Sequence, residues 1–155
     1  MNKNSGFTLI EMIVVLGIVA ILSSFAVPKT RKYLAVAKDT SAINALSILR
    51  TAVELKSIDG VEMPTVEENT EFTKEHFDSL EEFLSGGIKK TLGFTEDSIT
   101  GTVANIQSGG HRDSKDGTLL YGGKLKLVFK AGELKLTPVE ETGEYNTNGE
   151  LWKNF

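Results

Sequence analysis

Three groups of side chains in this sequence could carry chemistry. The first is Glu11, the only ionisable residue among the 21 from Phe7 to Val27, where Thr8, Ser23 and Ser24 are the other polar side chains. A charge at the centre of a bilayer costs roughly 2.5–3.5 kcal/mol on insertion scales, so a carboxylate in such a run requires a partner. The partner indicated is a chain terminus. The second group is Ser108, His111 and Asp113, the residue types of a hydrolytic triad, all within six residues of one Gly-rich loop. Triads are defined by groups converging from a rigid scaffold, and adjacency in sequence is no evidence of that, so the chain is read as a non-enzyme. The third is Asp113, Ser114 and Asp116-Gly117, which offer oxygen ligands for calcium. Their spacing departs from the EF-hand pattern, and a polar turn accounts for them equally well. No resident cofactor is therefore expected, with Asp113 and Asp116 as weak calcium candidates. His76 and His111 are too isolated for a zinc site.

The elements that hold these residues follow from the hydrophobic pattern. At about 1.5 Å per residue, a helix over 7–27 is about 30 Å long and can cross a bilayer. Helix is expected to continue to Ile58. Ala42, Ala45, Leu46, Leu49, Ala52 and Val53 fall on one face of a 3.6-residue period, and Lys38, Asp39, Asn44, Arg50 and Glu54 occupy much of the remainder. Ile48 and Leu55 lie off that stripe. Pro28 lacks an amide hydrogen and is expected to bend or interrupt the helix, and Gly17 is a second weak point. Asp59-Gly60 supplies the stop.

The rest of the chain reads as a small α+β head over 60–155. Residues 61–69, with Pro64, are loop-like, and 73–84 forms a second helix ended by Gly86-Gly87. Glu67, Glu68, Glu71, Glu75, Glu81 and Glu82 make a solvated face. From Lys124 the period changes to two: Leu125, Leu127 and Phe129, then Leu134 and Leu136, alternate with mostly polar neighbours around Lys130-Ala131-Gly132. Residues 124–137 thus form an antiparallel hairpin. Further strands are expected at 101–106 and 118–121. Trp152 and Phe155 anchor the tail to the sheet.

Composition bounds the rest. The 155 residues carry a net charge of −4 and no cysteine. An acidic chain argues against non-specific DNA binding, so no specific nucleic acid is expected. The absence of cysteine excludes a lipoprotein anchor and a disulfide-held head.

Gly6-Phe7-Thr8-Leu9-Ile10-Glu11, the apolar run after it and Pro28 resemble the N-terminal region of type IV pilins and of the pseudopilins of type II secretion systems, over roughly residues 1–60. The resemblance implies a leader of residues 1–6 cut after Gly6 by a membrane prepilin peptidase, and N-methylation of the new terminus at Phe7. It also implies an assembly helix over 7–27, an amphipathic continuation over 28–59 and a pilin-like α+β fold in which the long helix packs on a small antiparallel sheet. Glu11 matches the family's glutamate at the fifth mature position. After the cut, the Phe7 amine and the Glu11 carboxylate stand at i and i+4, in turns where the helix dipole favours negative charge. The carboxylate can instead meet a neighbour's amine and set axial register, since an unmatched buried charge is strongly unfavourable. The implied partners are the peptidase, identical or related subunits in a homo-oligomeric filament, an inner-membrane assembly platform, and the lipid bilayer before assembly. The implied location is the cytoplasmic membrane first, then a surface or periplasmic filament. Many pilins staple a C-terminal loop with a disulfide, and this chain, lacking cysteine, leans toward pseudopilins or pilins without the staple. A competence pilus subunit fits the same residues.

Other readings compete. A secretory signal peptide cut near Ser24-Phe25-Ala26 is opposed by the carboxylate inside its apolar region and by that region's length. A single-pass anchor carrying a binding module is the alternative of a different class. Lys29, Arg31, Lys32 and Lys38 follow the apolar run, whereas only Lys3 and the terminal amine precede it. Taken alone, this charge bias places the C-terminal side in the cytoplasm, opposite to what the resemblance implies.

Overall fold

In the computed structural model, which describes residues 7–60, 67–97 and 101–155, helix α1 runs from Leu9 to Ile58. Gly6 and the rest of the expected leader, and Pro64 with most of its loop, lie outside these residues. Of the expected bend or interruption at Pro28, the interruption does not occur: Pro28 sits inside α1, which continues through it. The ring removes one i→i−4 hydrogen bond, and the neighbouring turns keep theirs. On either side Ser24 Oγ donates to the Ile21 carbonyl (2.7 Å) and Thr30 Oγ1 to that of Ala26 (3.0 Å). The chain forms two compact units, one ending at Tyr33 and the other spanning Leu34–Phe155.

In the first unit, every side chain described from Phe7 to Tyr33 is exposed. A helix apolar on all sides has no single face on which to bury itself.

In the second unit, the α1 residues from Leu34 onward pack on a sheet. The buried stripe is Ala35, Asp39, Ala42, Ala45, Leu46, Leu49, Ala52 and Lys56, with Val53 half-buried beside it. The alanines let the sheet approach closely. The periodic face is as expected, but it extends by about two turns toward the N-terminus, to Ala35, and by about one turn toward the C-terminus, to Lys56. Asp39, assigned to the polar remainder, is one of its buried members and is corrected here. Ile48 and Leu55 remain exposed.

The sheet is antiparallel with strand order β1-β2-β5-β6: β1 Leu92–Asp97, β2 Gly101–Gln107, β5 Lys124–Lys130 and β6 Glu133–Pro138. Strands β5 and β6 form the expected hairpin, with Lys130 opposite Glu133 across a two-residue turn. Ala131 (φ 53°) and Gly132 (φ 79°) both adopt the left-handed conformation that such a turn demands. Leu125, Leu127, Phe129, Leu134 and Leu136 enter the core shared with α1.

Strand β1, absent from the sequence reading, pairs along its whole length with β2, from Leu92 opposite Ile106 to Asp97 opposite Gly101. Strands β2 and β5 pair only from Asn105 to Gln107. Beyond that point the segment 69–73 inserts between them. Asn69 N–H donates to the Phe129 carbonyl and Phe72 N–H to that of Leu127 (2.8 Å each), while Ala104 N–H donates to the Phe72 carbonyl (2.8 Å). The fully buried Phe72 secures this wedge, and Glu71 on it pairs with Lys126 Nζ at 2.7 Å. Glu71 is therefore half-buried and ion-paired, whereas Glu67, Glu68, Glu75, Glu81 and Glu82 are exposed as expected.

The single helix expected over 73–84 is divided. Helix α2 covers Lys74–Ser79, and a 3-10 turn covers Glu81–Phe83. Leu80 is fully buried, and its N–H bonds the Phe77 carbonyl (3.0 Å), tightening the last turn. A short helix α3, Ile88–Thr91, leads into β1.

A second small sheet has the order β4-β3-β7, with β3 Gly110–Arg112, β4 Leu120–Tyr121 and β7 Tyr145–Asn146. Strand β4 is the shortened form of the strand expected over 118–121. Trp152, fully buried in the 3-10 turn Trp152–Asn154, and the half-buried Phe155 close the tail onto the core.

Candidate functional site

The start of α1 is built by two side chains. Thr8 is the residue before the first helical turn and Glu11 stands three residues on, a Thr-x-x-Glu capping box. Glu11 Oε2 accepts from Thr8 N–H (2.7 Å) and from Thr8 Oγ1 (2.8 Å), and Glu11 N–H donates to Thr8 Oγ1 (3.3 Å). Met12 N–H closes the first turn on the Thr8 carbonyl (3.3 Å). Helix starts leave unpaired N–H groups, and in an apolar surround these need internal partners. Glu11 therefore has a local role that the sequence reading overlooked, although the Thr8–Glu11 spacing was sufficient to reveal it. Both Thr8 donors use one carboxylate oxygen. An ionised carboxylate has about four acceptor positions, so Glu11 keeps capacity for a further donor such as an amine. Phe7, 79% exposed, lies four residues before this carboxylate in sequence.

Seven apolar side chains beyond it, Met12 to Leu16 with Ile18 and Val19, are also exposed. The apolar part of the helix is exposed throughout, and the helix is long and apolar enough to cross a membrane. Lys29, Arg31 and Lys32 follow immediately and are exposed.

In the head, the side chains considered for hydrolysis are committed elsewhere. Ser108 is buried and its Oγ donates to the Gly122 carbonyl (3.2 Å). His111 Nδ1 accepts from Gly143 N–H (2.8 Å), and Asp113 is exposed. They are not brought together as a triad. Asp113 and Asp116 both face solvent, and among the described residues no group of three or more His, Asp or Glu side chains converges as a metal site.

The buried polar group of consequence is Asp39. Its Oδ1 accepts from Gly109 N–H (2.7 Å) and its Oδ2 from Thr147 N–H (2.9 Å). One carboxylate on α1 thus holds both the loop before β3 and the tail after β7. Gly109 lies so close to the helix that a Cβ there would stand 2.0 Å from the Ala35 carbonyl oxygen. Arg50, another member of the supposed polar remainder, donates to the carbonyls of Leu134 (2.7 Å) and Phe155. With no cysteine present, these contacts and Trp152 hold the C-terminal tail.

Comparison with known proteins singles out the same N-terminal region. Residues 1–27 match the model of the prokaryotic N-terminal methylation motif. The chain is 46% identical over 59 residues to prepilin peptidase-dependent protein D of Escherichia coli (strain K12), covering 38% of this chain and 40% of that protein. It is 38% identical over 63 residues to a fimbrial protein of Pseudomonas aeruginosa, covering 41% of each. With the type IV major alpha-pilin of Moraxella bovis it shares 33% identity over 76 residues, covering 49% of this chain and 47% of the pilin. The chain spans about two-fifths to a half of the length of these curated relatives. No solved structure matches the chain significantly. The chain thus carries the prokaryotic N-terminal methylation motif over residues 1–27 and is similar, over about two-fifths to a half of its length, to type IV pilin and fimbrial proteins.

Proposed function

We propose that this protein is a structural subunit that is cut between Gly6 and Phe7 by a prepilin peptidase, N-methylated at Phe7 and polymerised with identical or related subunits into a helical filament. One coincidence carries this reading. The methylation motif over 1–27 covers an apolar helix, wholly exposed, whose sole acid stands in its first turn. Before assembly that helix is covered by the bilayer, as its length allows. After extraction it is covered by equivalent helices of neighbouring subunits. Cleavage places the Phe7 amine four residues from Glu11, whose carboxylate retains acceptor positions. Either that amine or a neighbour's neutralises the acid, and a stagger that leaves the charge alone is penalised. The inner-membrane assembly platform acts at the extraction step. A pilus, a secretion filament and a competence filament are all built by this mechanism, and the head, 60–155, distinguishes them by what it displays.

Mass spectrometry of the protein from its native host tests the proposal. The expected species begins at N-methylated Phe7. A functional protein that retains Met1–Gly6 overturns it, because the amine that neutralises Glu11 would not exist.

A further inference from the structure

The basic residues after the apolar run are not used by the capping box or by the head. We propose that Lys29, Arg31 and Lys32 form a collar that binds the phosphate headgroups of anionic phospholipids and holds the subunit at a fixed depth before assembly. This rests on the reading of 7–27 as a bilayer-spanning segment. If Val27 marks the edge of the hydrocarbon, Lys29 lies about 3 Å and Lys32 about 8 Å further along the axis. The polar headgroup layer on each side of the hydrocarbon is about 5–8 Å deep, so the three cations fall within it.

Their arrangement also fits lipid. At about 100° per residue, Lys29, Arg31 and Lys32 stand near 0°, 200° and 300° around the helix. They spread over an arc of about 160°, wider than the roughly 100° stripe by which a helix packs on one neighbour. All three side chains are exposed, and none forms an ion pair among the described residues. Phe25 (70% exposed) and Tyr33 (72%) flank them, the aromatic types that settle at membrane interfaces. From Asp39 onward the chain carries 12 Lys and Arg against 20 Asp and Glu. An anionic surface repels that part of the chain, and the collar supplies the opposing attraction. Lipid phosphate is the same chemistry on either leaflet, so the inference is independent of which way the chain crosses.

The test uses the full chain in phosphatidylcholine vesicles containing trace spin-labelled phosphatidylglycerol or spin-labelled phosphatidylcholine. The measured quantity is the ratio of the two lipids' association constants. One cation near an anionic surface is worth about fivefold in binding. The unmodified chain is therefore expected to prefer phosphatidylglycerol by about fivefold or more at low salt. The preference should fall to about one in the Lys29→Gln/Arg31→Gln/Lys32→Gln variant, and also in 1 M salt, where screening acts within about 3 Å. A Lys115→Gln/Lys130→Gln/Lys153→Gln control should keep it. An unchanged ratio in the collar variant, or an equal loss in the control, overturns the proposal. A collar variant that keeps the lipid preference but forms no filaments assigns these cations to a neighbour's acids and likewise overturns it. Release of the chain by alkaline carbonate overturns the spanning reading itself, and the collar with it.

Discussion

From Leu9 to Val27 no side chain of α1 is buried, whereas between Ala35 and Lys56 eight are, although the first stretch is the more apolar. Burial here follows complementarity rather than hydrophobicity. The second stretch concentrates alanine and leucine on one stripe that faces a sheet of leucines and Phe129. The first is apolar all round, and a surface of that kind is satisfied only by lipid or by copies of itself. Each half also carries one acid at a decisive point. Asp39 is buried with each carboxylate oxygen bonded to a backbone amide of its own chain, while Glu11 caps its own helix at an exposed site, where a further donor can reach it. The difference separates the stability of the head from the proposed assembly, and each can be perturbed alone.

The largest expected effect is at Glu11. Glu11→Ala should abolish filaments seen by electron microscopy while leaving the cut after Gly6 intact by mass spectrometry, and abundant normal filaments would contradict the register argument. Asp39→Ala should act on the other half. It leaves two buried N–H groups unpaired at about 1–3 kcal/mol each, so the full-length protein in detergent should lose about 2–6 kcal/mol of unfolding free energy. The fluorescence of Trp152, the sole tryptophan and fully buried, reports the transition. A wild-type midpoint would refute the clamp. The contrast within the second half is sharpened by two leucines six residues apart. Leu49→Ala, at a fully buried site, should cost about 2–5 kcal/mol, and Leu55→Ala, at a 44% exposed site, no more than about 0.5 kcal/mol. Equal losses would mean that the exposed flank is also packed. The smallest effect is a gain: Ala131→Gly relieves the left-handed conformation at φ 53° and should stabilise the hairpin by about 0.5–1 kcal/mol in the same assay.

Local rules account for what was legible beforehand. The Ala42–Ala52 stripe, the 124–137 hairpin and the anchoring of Trp152 each follow from periodicity or turn chemistry within a few residues, and each appears as expected. Thr8-x-x-Glu11 is equally local: its spacing alone specifies the capping box at the helix start. Asp39 was misplaced for a different reason. A 3.6-residue wheel puts it beside Ala42 and Leu46, yet a carboxylate is normally read as solvent-facing, and its partners Gly109 and Thr147 are 70 and 108 residues away. Strand β1, with Gly93 inside it, has too little pattern to stand out; it exists because β2 offers a matching edge. Pro28 does not interrupt α1, since one missing donor does not end a helix of 50 residues.

Short-range interactions alone determined that this protein has an apolar span with one acid in its first turn, a basic collar behind it and a helix that turns amphipathic after Tyr33. These depend on side-chain type and on a rise of about 1.5 Å per residue. Only the tertiary structure decided that residues 69–73 wedge between β2 and β5, and that Asp39 ties the helix to the tail. Both contacts join segments far apart in the chain, and their hydrogen bonds form only once the core has brought the partners together.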